Sequence, residues 1–178
     1  MVGLQSEIDR WTTAFGTLPD DLQGDYLPCA ARLQATMPAA APAVVNHGDY
    51  RVGNTLCLDG HVTAVIDWEI WSVGDPRIDT SWMLYFTDEA QHPGAPTTAP
   101  SGMPTANELL DAYRSEGGAT LDDLHWFHAL TRYKEAAATG LLLKRARKRG
   151  DDLPPSMARM LPALPRLLAE AHELLDQA

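Results

Sequence analysis

The chain has 178 residues, of which 45% are hydrophobic and 21% charged, enough for one domain with a real core and too few for two full ones. Its formal net charge of −10 argues against binding a nucleic-acid backbone, which requires a basic surface. No apolar run reaches the roughly 18–20 residues of a membrane span, and the N-terminus carries Glu7 and Asp9 with no apolar signal-peptide segment.

The two cysteines, Cys29 and Cys57, lack metal-ligand spacing and read as buried, reduced thiols, so a cytoplasmic location is expected. The acidic balance is compatible with carboxylates that gather divalent cations.

Leu4, Ile8, Trp11 and Phe15 recur at helical steps and predict a first helix. A second helix is expected from about Asp20 to Thr36, burying Leu22, Tyr26, Cys29, Leu33 and Met37, with Pro28 marking a kink or a late start. Residues 38–42 form an Ala/Pro connector. The short apolar run Val44-Val45 follows, and then two β-like segments, Thr55–Leu58 and Val62–Ile66, joined by Asp59-Gly60, a favoured hairpin turn.

A helix is expected just after Pro76, carrying Ile78, Trp82, Leu84 and Tyr85, and the stretch 88–104 reads as an exposed loop. Thr105 and Glu108 have capping-box spacing and open a helix ending near Gly117-Gly118. A long amphipathic helix is expected from Thr120 to Arg149. Its basic end, Lys144 to Arg149, suits a helix C-terminus better than a nucleic-acid patch. The last helix, with Pro162 and Pro165, is expected to be irregular in its first half.

Chemistry concentrates between His47 and Trp82. Asp49 lies in a Gly-flanked loop, Asn54 starts the hairpin and Asp67 ends it, so the three converge if the hairpin closes. Phosphoryl transfer needs such a set: a carboxylate to orient the attacking hydroxyl, and hard oxygen ligands for magnesium. Taken singly, each residue has a plainer role. Asp and Asn form turns, and Asp75-Pro76 is a helix cap with proline at the first helical position. His125 and His128 lie three apart on one helix without a third ligand, which disfavours zinc. Trp68, Trp71 and Trp82 read as packing residues, with a place near a ligand open to Trp68.

The motifs His47-Gly48-Asp49-x-x-x-x-Asn54, Ile66-Asp67-Trp68-Glu69 and Gly74-Asp75-Pro76-x-x-Asp79 stand in register. Together they resemble the aminoglycoside phosphotransferase and choline kinase family. The wording is most similar to a branch related to kinase-like domains fused to acyl-CoA dehydrogenases.

The resemblance implies an α+β, mostly α-helical, protein-kinase-like C-terminal lobe whose small central β-hairpin carries the catalytic and metal-binding loops. It implies Mg2+ and ATP, with Asp49 as catalytic base, His47 bracing the loop, and Asn54 and Asp67 as metal ligands. Arg51 and Glu69 would line the substrate or phosphate side, and Asp75 and Asp79 would support the loop. The acceptor would be a small-molecule hydroxyl of aminoglycoside, macrolide, choline or hydroxyacyl kind.

The family's N-terminal nucleotide-binding lobe is expected to be absent, because no Gly-rich loop precedes His47 and the only lysines, Lys134, Lys144 and Lys148, come late. A truncated sequence, a second chain that supplies the lobe, or a natural fragment would each account for this. Oligomerisation or a partner chain is expected to cover the face left open. The alternative function is a non-catalytic interaction or regulatory module. A metal-dependent phosphohydrolase is a third reading, which lacks the expected additional histidines.

Overall fold

Helix α1 (Leu4–Gly16) buries Leu4, Ile8, Trp11 and Phe15, the stripe expected from sequence. A computed structural model of the chain describes residues 2–88, 92–95 and 102–177. The expected second helix is broken in two. A 3-10 turn spans Asp20–Leu22, and α2 (Tyr26–Ala35) starts only after Gly24, whose φ of +54° is left-handed. The late start puts Pro28 in the first turn, where its missing N–H costs nothing. Met37 lies beyond α2 and is exposed, against expectation.

Strand β1 (Val44–Asn46) is followed by a 3-10 turn, Val52–Asn54, and by β2 (Thr55–Leu58) and β3 (His61–Val65). The hairpin turn forms as its sequence demands, with Asp59 and Gly60 both at positive φ. A shift in register between Leu56 and Cys57 bends β2. Both faces of this ribbon are largely open, so Cys57 is exposed and only Cys29 is a buried thiol.

A second two-stranded sheet was not expected. Strand β4 (Ser72–Gly74) pairs antiparallel with β1, matching Val44 with Gly74 and Asn46 with Ser72. The pairing ties the two ends of the motif region together.

Helix α3 (Arg77–Thr87) begins directly after Pro76 and buries Ile78, Trp82, Leu84 and Tyr85. Part of the expected loop, 89–91 and 96–101, lies outside the described residues. Helix α4 (Ala106–Ser115) opens with the Thr105–Glu108 capping box, both reciprocal bonds being formed.

Helix α5 (Leu124–Arg149) starts four residues later than expected. Arg77 holds the Asp122 carbonyl at 3.0 Å, and Asp123 turns left-handed at φ +57°. It is also not one-sided. From Trp126 to Leu143 it is buried on nearly every face, because α1, α2, α3 and α7 surround it. Its basic end is anchored to the scaffold by Lys144 to the Thr17 carbonyl and by an Arg147–Asp21 ion pair at 2.8 Å.

The C-terminus divides, as its prolines demand, into α6 (Pro155–Met160), a 3-10 turn at Leu161–Ala163, and α7 (Leu164–Leu175). No described helix is long and apolar enough to cross a membrane.

Candidate active site

The site is a loop held from several directions. Between β1 and the 3-10 turn, Gly48 takes φ +88°, and a Cβ there would meet the Ile70 carbonyl at 2.5 Å. Only glycine fits at this point without displacing the Ile70 backbone.

Asp79, in the first turn of α3, accepts the backbone N–H groups of His47 and Gly48 at 2.5 and 2.9 Å. The buried His47 ring bridges the loop to the hairpin: Nδ1 accepts the Asp49 N–H at 3.2 Å, and Nε2 lies 2.7 Å from the Ile66 carbonyl. With Nδ1 accepting, the proton belongs on Nε2, which donates to Ile66. Trp68 covers the same ring at a centroid distance of 4.6 Å. Trp71, by contrast, is exposed and packs little.

Asp75 acts from further back. Its carboxylate accepts from the Ala41 N–H at 2.8 Å and from the Arg77 backbone N–H at 3.0 Å, and it forms a fork with the Arg77 guanidinium at 2.7 and 2.9 Å. Burial alone would raise this carboxyl, but the Arg77 and Ala41 hydrogen bonds outweigh it and hold it below the usual carboxylate range. Arg77 also reaches the Ala39 carbonyl, so one buried ion pair fixes the connector before β1 against the start of α3. Sequence reasoning had no role for Arg77.

Asp49 is the residue toward which this framework points. Its Oδ1 accepts from the Trp82 indole N–H at 2.7 Å, and its Oδ2 from Asn54 Nδ2 at 2.8 Å and Arg51 Nε at 3.1 Å. Asn54 also donates to the Asp49 carbonyl at 2.9 Å, so its amide nitrogen is fully engaged and the amide oxygen is left with coordinating capacity.

Asp67 is exposed, sits at φ +67°, and its carboxylate makes no hydrogen bond among the described residues. Its neighbour Ile66 donates to the Asn54 carbonyl at 2.9 Å, which places Asp67 at the same end of the hairpin as Asn54. Thus Asp49 and Asn54 are in contact, and Asp67 directly follows the residue that bonds the Asn54 carbonyl.

Among the described residues no three His, Cys, Asp or Glu side chains cluster as a metal centre. The donors at hand, one amide oxygen and one free carboxylate, are hard ligands. They fit a magnesium ion that keeps most of its waters.

Lys134 was read from sequence as one residue of a late helix. It is buried on α5, donates its Nζ to the Gly48 carbonyl and lies 3.8 Å above the Trp82 ring. Desolvation lowers its pKa, opposed by the charges of Glu7, Asp79 and Asp49. Only its register among the buried positions of α5 could have revealed this.

On the Asp49 side the loop opens into a cavity of about 660 Å3, with Arg51, Glu69, Trp82, Lys134 and Glu135 in its wall. On the His47 side lies a more apolar groove of about 620 Å3, walled by Val45, Tyr50, Trp68, Met83, Leu109 and Tyr113.

Comparison with known proteins bears on the family and the fold. The chain is 32% identical over 99 residues to an acyl-CoA dehydrogenase family member 11 from Pongo abelii, covering 51% of this chain but only 13% of that protein. Its fold matches the crystal structure of a Ralstonia eutropha protein provisionally assigned as an aminoglycoside phosphotransferase. The TM-score is 0.71 at 18% identity, over 98% of this chain and 56% of the other. The chain therefore spans about half the length of that structure and a small part of the dehydrogenase relative. The phosphotransferase enzyme family matches residues 4–124, more than half of the chain and all three motifs, and the chain belongs to that family.

Proposed function

We propose that this chain is the acceptor-side, catalytic lobe of a small-molecule kinase that transfers the γ-phosphoryl group of ATP to a hydroxyl. The observation that carries this reading is the Asp49 carboxylate, oriented by Trp82, Arg51 and Asn54 on the wall of a cavity large enough for a small molecule. Phosphoryl transfer asks the protein mainly for positioning and electrostatics.

Asp49 would orient the acceptor hydroxyl and take up its proton. Asn54 Oδ1 and the Asp67 carboxylate would hold magnesium, which when bound neutralises charge on the nucleotide phosphates. Arg51, half-exposed and paired with Asp49, is placed to turn toward a phosphate, and Glu69 lines the same cavity. His47, Asp75 and Asp79 keep the loop in shape. The acceptor belongs to the aminoglycoside, macrolide, choline or hydroxyacyl kind. The nucleotide-gripping lobe lies outside these residues, supplied by a further segment or a partner chain.

Calorimetric titration of Mg-ATP into the chain, repeated with Asp67→Ala, tests this. Magnesium-dependent binding that disappears in Asp67→Ala supports it. Absence of Mg-ATP binding to the wild type, alone and with a supplied N-terminal lobe, favours a non-catalytic module.

A further inference from the structure

His92 lies at the cavity wall, its ring against Phe86 at 4.5 Å and Tyr85 at 4.9 Å. Its Nδ1 accepts the Gly94 N–H at 3.0 Å. Burial, then the charges of Arg132 and Arg51, pull its pKa down to about 4, so the ring is neutral at physiological pH. A neutral imidazole that accepts at Nδ1 carries its proton on Nε2. That Nε2–H is buried and has no hydrogen-bond partner among the described residues.

Glu135 Oε1 stands 4.0 Å from Nε2, too far for a hydrogen bond, and accepts from Thr139 Oγ1 at 3.0 Å. A buried donor without an acceptor is costly, and such groups are rare in folded proteins. Here the orphan donor stands beside a buried acceptor, both on the wall that Asp49 shares.

An oxygen seated about 2.8 Å from each atom spans that gap, accepting from His92 and donating to Glu135. A hydroxyl does both. An ammonium only donates, so it would leave the His92 N–H unsatisfied. The cavity wall also balances Glu69, Asp49 and Glu135 with Arg51, Lys134 and Arg145, so it offers a cation no net attraction despite the acidic chain.

We propose that His92 and Glu135 form a recognition subsite for a second hydroxyl of the acceptor, selecting polyhydroxylated compounds over their amino counterparts. The proposal rests on the reading of the Asp49 cavity as the acceptor site.

The test is a matched pair of probes, trans-1,2-cyclohexanediol and trans-2-aminocyclohexanol, titrated by ligand-observed NMR at pH 8. The wild type is compared with His92→Phe, Glu135→Gln and Asp49→Asn. The expected result is a Kd for the diol about tenfold or more below that for the amino alcohol, with the preference lost in His92→Phe and kept in Glu135→Gln, whose amide oxygen still accepts from the hydroxyl.

No saturable diol binding, an equal or stronger response to the amino alcohol, or a preference that survives His92→Phe overturns the proposal. Diol binding that depends on Asp49 but not on His92 removes the subsite and leaves the kinase reading standing. Binding that depends on His92 but not on Asp49 does the reverse. Independently of any variant's folding, the ring 15N shifts of His92 must show the Nε2–H tautomer, and the Nδ1–H form would also overturn the proposal.

Discussion

The indole N–H of Trp82 donates to Asp49 Oδ1 at 2.7 Å, and the face of the same ring carries the Lys134 ammonium at 3.8 Å. One side chain thus links the carboxylate at the cavity to the cation that secures the loop behind it. Trp82→Phe keeps the ring face and deletes the donor. A hydrogen bond to a charged group contributes about 1.5–3 kcal/mol, discounted here because the Asp49 side chain is 24% exposed. The expected loss is about 1–2 kcal/mol by urea denaturation, shrinking clearly in an Asp49→Asn background. An equal loss in both backgrounds would show that the two residues are not coupled.

Gly48→Ala and Gly60→Ala separate crowding from backbone preference. Both glycines have positive φ, but a Cβ at Gly60 meets nothing within 4 Å whereas one at Gly48 meets the Ile70 carbonyl. Gly60→Ala should cost about 1 kcal/mol, the ordinary left-handed penalty. Gly48→Ala should cost more than about 2 kcal/mol and lower Tm by roughly 5–10 °C. Similar melting temperatures for the two variants would contradict the close approach at Ile70.

The pH dependence of stability carries a signature of Glu135. Burial pushes its carboxyl up to about 7 from an ordinary 4.5. Between those values the folded chain binds more protons than the unfolded one, so this contribution is present at low pH and lost as pH rises through 7. Buried His92 and His128, pulled down to about 4 from 6.5, act oppositely: their contribution is gained as pH rises and lost as it falls toward 4. Glu135→Gln removes only the first effect. Relative to wild type it should be more stable at pH 8 than at pH 5, by on the order of 1–3 kcal/mol in urea melts. A difference that does not change with pH would place the Glu135 titration elsewhere.

Much of the fold was legible because its signals are local. The α1 stripe, the Asp59-Gly60 turn, the Thr105 box and the C-terminal prolines each act within a few residues. Strand β4 was not legible, since Ser-Val-Gly has no strand signal of its own and is held by pairing with β1. The candidate site residues stood out as a motif, but their supports did not. Trp82 looked like packing, Arg77 had no assigned part, and His92 and Lys134 looked like incidental loop or helix residues. Each gains its role from contacts that cross the chain, such as Lys134 to Gly48 and Arg77 to Asp122. Cys57 was misjudged for a related reason: thiols are usually buried, and nothing in the sequence shows that the hairpin stands clear of the core.

The bond from Lys134 to the Gly48 carbonyl spans 86 positions of sequence and starts from a helix packed against α1, α2, α3 and α7. The loop therefore has no autonomous shape. A peptide containing residues 44–82 would hold every recognisable motif and none of this geometry, because the cation that shapes the loop arrives only when α5 docks. In native-state hydrogen exchange, the loop amides and the core of α5 should open as one cooperative unit.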